Sequence, residues 1–280
     1  MTGRRAAAAG IAMHSPCRSH IVWAQRALYL AVLVAGPRII PGERGRWVTP
    51  VEEDVWSVLL ESWSSCVGKF DELVLYRRPQ AGRTGFAALL LRDGKGIAFA
   101  RYHPDGSRIL REYGVVSAVH GARPRSFAVA RPIAAGKLAD DAGWLLSESL
   151  PNYPLGAVRS ERVREVVARE VSEVLADAIT RPSGTPGDWV PAHGDFAPWN
   201  LRTLLSGRVC VIDWEDVTFA PAGVDQLYGA LTAHATFGSA MPSDAPAEAI
   251  EWILRLVRAR GHDSPEDAAL ITWLEQVPPR

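Results

Sequence analysis

The chain has 280 residues, of which 48% are hydrophobic and 22% charged, and its formal net charge at pH 7 is zero. This composition allows one large buried core or two smaller ones, and it excludes a disordered protein. No stretch after residue 50 is basic enough to indicate nucleic-acid binding. The three cysteines, Cys17, Cys66 and Cys210, cannot all pair and lack metal-ligand spacing, so we expect a cytoplasmic location.

The first fifty residues are unusual in charge, because they contain seven arginines and one acidic residue, Glu43. We interpret residues 1–45 as an N-terminal extension whose Arg- and Ala-rich start is flexible. Residues 21–35 are apolar, but they are interrupted by Gln25 and Arg26 and are shorter than a membrane span. Leu28–Val34 is expected to form an extra strand or helix packed on the next domain rather than part of a signal peptide, and no membrane association is expected.

Residues 46–147 have the pattern of a small α and β domain. Asp54–Cys66 is rich in Val, Leu and Trp and predicts a helix. Aliphatic runs then predict three strands, the last two joined by a turn at Asp93-Gly94: Asp71–Tyr76, Gly85–Leu91 and Gly96–His103. Asp105-Gly106-Ser107 predicts the start of a second helix over about residues 108–120, with Glu112 in its second turn.

A glycine-bearing loop lies between the first two of these strands, with the sequence Gln80-Ala81-Gly82-Arg83-Thr84-Gly85. Exposed backbone N–H groups in such a loop can bind phosphate, so Gly82 and Thr84 are candidate nucleotide-binding residues. Most glycine-containing hairpin loops bind nothing, and that alternative stays open here.

Downstream of the small domain, the pattern is mostly helical. Apolar residues recur at helical spacing over Glu161–Ile179, and three further helices are expected at about 222–238, 247–260 and 264–276. We find no internal repeat.

The most informative segment is His193-Gly194-Asp195, followed by Asn200 and then by an apolar run that ends at Asp213. Phosphoryl transfer requires an oriented acceptor hydroxyl and a metal that neutralises phosphate charge. Asp195 can accept the acceptor proton, and the oxygens of Asn200 and Asp213 suit Mg²⁺. His193 is expected to hold the loop by a backbone hydrogen bond rather than to touch substrate.

Local pattern explains how these residues meet. Leu201–Leu205 and Arg208–Ile212 predict two short strands joined by a two-residue turn, Ser206-Gly207. Such a hairpin folds Asp213 back beside Asn200. The non-functional alternative is that these residues only form turns and solvated loops.

These motifs resemble the aminoglycoside phosphotransferase and choline kinase superfamily, small-molecule relatives of the protein kinases. The resemblance implies an α+β, two-lobed, protein-kinase-like fold, with a small nucleotide-binding lobe (46–147) and a mostly helical large lobe (148–280). The small lobe is expected to be an antiparallel sheet plus one helix. The activity implied is ATP- or GTP-dependent and Mg²⁺-dependent, with Asp195 as catalytic base and Asn200 and Asp213 as metal ligands. Asp225 is similar to a family residue that braces the catalytic loop, although it could simply complement a helix dipole.

The resemblance also implies a nucleotide site, and the chain departs from the family there. The third strand carries Arg101 where the family has a lysine that binds phosphates and is held by a helix glutamate, here Glu112. Arg101 can pair with Glu112 and still donate to phosphate, or it can fill the pocket and weaken nucleotide binding. Residues 143–151 resemble the strand and hinge that meet adenine, which makes the backbone at Glu148 and Ser149 the predicted purine contact.

Two functions compete on this evidence. The first is a phosphotransferase acting on a hydroxyl of an aminoglycoside, sugar or amino alcohol. The second is a catalytically silent kinase-like binding or scaffolding protein, which Arg101 and the weak glycine loop motivate. A metal-dependent hydrolase is a third class, but His193 lacks a second histidine nearby.

The acceptor and the oligomeric state are not predicted by the sequence. Acidic residues near Asp213 could favour a cationic acceptor, but such loop charges are usually solvated. Three tryptophans are expected to pack in the core, and the alternative is that they line an aromatic cage for a cation: Trp214, Trp252 and Trp273.

Overall fold

The computed structural model describes residues 3–14, 16–40, 49–76, 84–139, 141–259 and 265–279, with the backbone alone at 265–268. The chain forms two compact units, each made of two segments. The first unit contains Met1–Ser117 and Ala130–Leu155, and the second contains Ala118–Val129 and Gly156–Arg280. The lobe boundaries after residues 45 and 147 remain predictions. Among the described residues, no helix has the length and apolar character needed to cross a bilayer.

The first unit is built on an antiparallel sheet with strand order β1-β2-β3-β6-β5. Its strands are β1 (Glu72–Tyr76), β2 (Phe86–Arg92), β3 (Lys95–His103), β5 (Pro132–Lys137) and β6 (Gly143–Ser147). The three strands predicted from aliphatic runs are therefore confirmed to within one residue. The predicted turn is also present, because Asp93 and Gly94 both have positive φ (53° and 70°), as a tight hairpin turn requires.

One face of this sheet packs on a helix, α3 (Glu53–Val67), which was predicted as 54–66. Side chains alternate between the two faces along a strand, so Ala88 and Leu90 of β2 point to this side. They form a core with the α3 residues Trp56 and Trp63, which are 7% and 0% exposed. The aromatic content of α3 thus serves packing.

On the opposite face of the sheet lies α1 (Arg4–Met13), and α2 (Ser19–Ala35) packs on α1; these two helices are here called the N-terminal hairpin. Ala6 and Ala9 of α1 pack against Leu89 and Leu91 of β2. Residues 4–9, which were expected to be flexible, are helical, and their small alanine side chains let the helix approach the sheet closely. The apolar run expected as a strand or helix lies within α2.

The predicted cap of the next helix is confirmed. This helix, α4, covers Gly106–Ala122. Asp105 Oδ1 accepts hydrogen bonds from the backbone N–H of Ser107 (3.0 Å) and of Arg108 (3.4 Å), and these donors belong to the first turn. The hydrogen bond from the Ser107 hydroxyl is the main cause that lowers the pKa of Asp105.

The second unit combines helices with two small sheets. Its strands are β4 (Phe127–Ala128), β7 (Gly156–Ala157), β8 (Val190–Ala192), β9 (Leu201–Thr203), β10 (Val209–Val211) and β11 (Thr218–Ala220). The sheets have the orders β4-β10-β9-β7 and β11-β8. Its helices are α5 (Glu161–Ala178), α6 (Val224–Phe237), α7 (Ala247–Ala259) and α8 (Pro265–Leu274), close to the predicted ranges.

The hairpin of β9 and β10 is confirmed, but its loop is one residue longer than predicted. Leu204 N–H donates to Arg208 O (2.9 Å), so the loop contains Leu205, Ser206 and Gly207. Gly207 has φ 81°, which matches a turn followed by a left-handed residue, a common three-residue hairpin. The longer loop shifts the register by one residue, so Asn200 pairs with Ile212 and Asp213 lies one residue beyond that pair.

Candidate active site

The second unit brings three of the predicted residues together at the ends of short strands. Asp195 follows β8, and Asn200 ends a 3-10 turn (Pro198–Asn200) that leads into β9. Beyond β10, Ile212 N–H donates to Asn200 O (3.0 Å), which places Asp213 directly after a backbone pair with Asn200. The hairpin thus delivers Asp213 to the Asn200 side of the loop, as the sequence pattern predicted.

Asp195 and Asn200 are in direct contact. Asn200 Nδ2 donates to the Asp195 backbone oxygen (2.9 Å) and to Asp195 Oδ2 (3.0 Å), and both residues are 4% exposed. Because both donated bonds fix the amide, its Oδ1 is the atom left to bind a cation. One side chain therefore orients the predicted base and presents a metal-ligand oxygen.

His193 is a structural residue in this loop. Its Nδ1 accepts a hydrogen bond from Asp195 N–H (3.3 Å), so the neutral ring carries its proton on Nε2. That nitrogen then donates to Ile212 O (3.1 Å). The ring therefore ties the Asp195 loop to the strand that leads to Asp213, as expected from the sequence.

The backbone geometry requires a glycine at position 194, a requirement that was not predicted from the sequence. Its φ is 82°, and a Cβ at this position would lie 2.2 Å from the Asp216 backbone oxygen. A side chain would therefore clash with backbone and force the loop away from Asp216. The sequence signal for this requirement is the position of the glycine between His193 and Asp195.

Asp225 braces the loop from the first turn of α6. Its Oδ2 accepts from His193 N–H (2.7 Å) and its Oδ1 from Gly194 N–H (3.1 Å). Burial raises the pKa of the Asp225 carboxyl above its usual value, although the two N–H donors oppose this shift. The arrangement is therefore the one expected from the family resemblance, in which this residue braces the loop. Asp225 also lies at a helix N-terminus, so the alternative role of complementing the helix dipole is met as well.

We expect Asp225→Ala to destabilise the protein by about 3 kcal/mol, because two buried N–H groups lose their acceptor. Asp225→Asn keeps one acceptor oxygen and should recover part of this loss. Thermal and denaturant unfolding of the two variants measures the difference. An Ala variant as stable as wild type would mean that water replaces the carboxylate and that the brace is dispensable.

Asp213 has a left-handed backbone conformation (φ 67°), which aims its side chain differently from that of a strand residue. The next residue, Trp214, is 3% exposed and donates from Nε1 to Val211 O (3.2 Å). Trp252 and Trp273 pack against the core of α6, α7 and α8. All three tryptophans are thus in packing positions, the use considered more probable from the sequence.

The donor chemistry around Asn200 and Asp213 fits a hard cation, since both supply oxygen atoms. Among the described residues, no three His, Cys, Asp or Glu side chains are grouped so as to hold a metal. The predicted set contains only one such residue. Mg²⁺ commonly takes one or two protein ligands and completes its shell with phosphate and water, so this small set is the kind expected for a nucleotide-bound ion.

Within the first unit, Arg101 and Glu112 form the pair that the resemblance implied. Arg101 Nη1 lies 2.5 Å from Glu112 Oε1, and the side chains are 14% and 6% exposed. Arg101 is on β3 and Glu112 on α4. The helix glutamate therefore holds arginine as it would hold the family's lysine.

The remaining predicted nucleotide contacts are less well placed. Gly82 lies outside the described residues. Thr84 is exposed, and its hydroxyl pairs with His103 Nε2 (3.1 Å). Glu148 N–H donates to Arg131 O (2.8 Å), which continues the β5–β6 ladder by one bond. A backbone donor to a purine from this segment would therefore come from Ser149. This residue lies beside β3, because a Cβ placed on Gly96 would be 2.9 Å from the Ser149 Oγ.

Part of the chain is similar to known phosphotransferases. A family model described as "Phosphotransferase enzyme family" matches residues 164–270, which include the Asp195 loop and Asp213. The resemblance drawn from the sequence is confirmed. A search of curated proteins finds no match.

Three solved structures illustrate the likeness. The amicoumacin kinase hAmiN in complex with AMP-PNP, Ca²⁺ and Ami has a TM-score of 0.51 at 10% identity, covering 81% of this chain and 85% of that one. The GDP complex of aminoglycoside 2'-phosphotransferase-IIIa scores 0.49 at 13% identity, covering 80% and 98%. A thermostable mutant of aminoglycoside phosphotransferase APH(4)-Ia scores 0.45 at 14% identity, covering 77% and 88%. The fold is therefore the α+β kinase-like fold expected from the sequence, and the amicoumacin kinase, with the TM-score above 0.5, carries that assignment.

Proposed function

We propose that this protein is an ATP- or GTP-dependent phosphotransferase that moves the γ-phosphoryl group to a hydroxyl of a small molecule, such as an aminoglycoside, a sugar or an amino alcohol. The family match supports the coarser assignment to small-molecule phosphotransferases. The observation that carries the proposal is the contact of Asn200 with Asp195 on one side and with Ile212, next to Asp213, on the other.

Each residue has a defined task in this proposal. Asp195 accepts the proton of the acceptor hydroxyl as its oxygen bonds to the γ-phosphorus and the bond to the leaving nucleoside diphosphate breaks, and the Asn200 amide keeps the Asp195 carboxylate in place. Asn200 Oδ1 and the Asp213 carboxylate would hold Mg²⁺, which when bound neutralises charge on the phosphates. Arg101, held by Glu112, would donate to nucleotide phosphate oxygens. The Asp225 brace keeps the loop rigid, so that the Asp195 position is fixed before substrate binds.

The test is a thermal-shift titration with ATP and with GTP, each with Mg²⁺ and with EDTA. A ligand at 100 times its Kd stabilises the folded state by about 2.7 kcal/mol, which is a readily measured shift. Stabilisation that needs Mg²⁺ supports the proposal. The absence of any shift with either nucleotide at millimolar concentration would favour the silent kinase-like protein instead.

A nucleotide-consumption screen then addresses the acceptor. Hydroxylated amines, sugars and antibiotics are supplied one at a time, and phosphorylated product is followed by mass. The cytoplasm is the compartment that this function requires, because the nucleotide is supplied there.

We expect Arg101→Lys to retain or raise nucleotide affinity, because lysine also donates to phosphate and can pair with Glu112. Arg101→Met keeps the length of the side chain without charge and should weaken affinity by about tenfold or more, the loss of a charge-assisted hydrogen bond. Titration with a fluorescent ATP analogue measures both. A large loss in the lysine variant would show that the guanidinium makes contacts that an ammonium cannot replace.

A further inference from the structure

Helix α1 of the N-terminal hairpin follows β1, the edge strand of the first unit, over its whole length. Gly3 N–H donates to Glu72 Oε1 (2.6 Å) at the start of β1. The His14 ring meets the Tyr76 ring edge-on, with centroids 5.5 Å apart, at the end of β1. Helix α1 therefore runs along β1 and ends beside the last residue of that strand.

The face that α1 covers is the face from which Arg101 projects. Cross-strand partners share a face, and Val74 pairs with Leu89, which pairs with Phe99. Arg101 is two residues beyond Phe99 in β3 and pairs with Ala87. Side chains two apart in a strand point to the same side, so Arg101 shares this face with Leu89, against which α1 packs.

Helix α2 reaches the segment that follows the predicted hinge. Arg26 Nε donates to Pro154 O (3.3 Å), and the Arg26 guanidinium lies over the Tyr153 ring, 5.3 Å from its centroid. Tyr29 meets the same ring edge-on at 5.6 Å. The hairpin therefore extends from the edge strand β1 to the chain just beyond Ser149.

A nucleotide held by Arg101 and by the backbone at Ser149 would lie across this same face. Phe99 is the link, because it pairs with Ser147 in β6, one residue before Glu148. The purine and its phosphates would thus span Phe99 and its neighbour Leu89. Leu89 is 5% exposed and Leu91 is 0% exposed beneath α1.

We propose that the N-terminal hairpin is an internal cover of the nucleotide site, and that nucleotide binds to molecules in which the hairpin has moved off the sheet. This inference rests on the proposed function. The contact is suited to release, because α1 presents Ala6, Ala9 and Gly10 to the sheet, and these bury less apolar area than larger side chains would. The apparent affinity for nucleotide is then the intrinsic affinity multiplied by the fraction of uncovered molecules.

A reversible disulfide tests the cover in the full chain. A Cβ built on Gly10 lies 3.0 Å from Val74 Cγ1, so Gly10→Cys with Val74→Cys places two thiols within bonding range. Cys17→Ser and Cys66→Ser remove the thiols that are not buried. Binding of a fluorescent ATP analogue with Mg²⁺ is titrated in the oxidised and the reduced form of the same preparation, and the variant with Gly10→Cys alone controls for the substitution.

We expect the oxidised form to bind nucleotide at least about tenfold more weakly than the reduced form. Equal affinity in the two forms overturns the cover, while the binding itself upholds the proposed function. Because the two forms differ only by one bond, a folding defect common to both does not imitate the expected result.

A second variant opens the cover instead of locking it. Ala6→Glu places a carboxylate against Leu89 and Leu91 and should release α1, so nucleotide affinity should rise by about tenfold. Ala7→Glu, at a partly exposed position of the same helix, is the matched control and should bind as wild type does. If wild type, the reduced disulfide variant and Ala6→Glu all fail to bind either nucleotide, the proposed function fails and the cover fails with it.

Discussion

Replacing Asp195 with alanine should reduce turnover by about 10³-fold, the range expected when a general base is removed, and should leave nucleotide affinity within about twofold. The physical reason is that the proposed function assigns the acceptor proton to Asp195 and the metal oxygens to Asn200 and Asp213. Steady-state kinetics with the acceptor found by screening, together with nucleotide titration, separates the two effects.

Two variants make the Asp195 result specific. Asp195→Asn keeps the shape and the acceptor oxygen for Asn200 but cannot take a proton, so it should be as inactive as the alanine variant. Asp188→Ala, at an exposed loop position of the same unit, should have wild-type turnover. If Asp195→Asn turned over within threefold of wild type, proton acceptance by this carboxylate would have to be abandoned.

Neutralising Asp213 should act on nucleotide binding itself. We expect Asp213→Asn to weaken Mg²⁺-dependent nucleotide affinity by about 100-fold, equivalent to about 2.7 kcal/mol, because an anionic metal ligand becomes a neutral one. Asparagine tolerates the left-handed conformation of Asp213, so the backbone is preserved and the charge alone changes. Calorimetric titrations with Mg²⁺ and with EDTA measure the metal-dependent part.

The chain offers a matched control for this variant. Asp93 also has a left-handed conformation (φ 53°), in an exposed turn between β2 and β3. Asp93→Asn makes the same chemical change at an equivalent backbone geometry and should leave affinity unchanged. Equal losses in both variants would point to a general charge effect, and no loss in Asp213→Asn would remove Asp213 from the metal site.

Much of the fold was predictable because its signals are local. The strands β1, β2 and β3 are rich in apolar residues, and Asp93-Gly94 marks the turn between β2 and β3. The docking of α1 was not predictable, because an Arg- and Ala-rich segment has no apolar stripe of its own. Its position depends on Leu89 and Leu91, which are about eighty residues away in sequence.

The candidate site divides in the same way. Asp195, Asn200 and Asp213 are placed by a short hairpin, so spacing alone indicated their proximity. By contrast, the hydrogen bond from Glu148 N–H to Arg131 O depends on pairing between β5 and β6. Local sequence does not show that this pairing uses the Glu148 N–H and so removes it as a donor to a nucleotide.

The double donation from the Asn200 amide to Asp195 has a thermodynamic consequence. If the opposite end of that amide ligates an ion, polarisation of the amide strengthens the N–H bonds that Asp195 receives. Ion binding by Asn200 and the orientation of the Asp195 carboxylate are then coupled, and each must favour the other by the same free energy. Removal of the Asn200 amide should therefore disturb the position of Asp195 as well as the ion site.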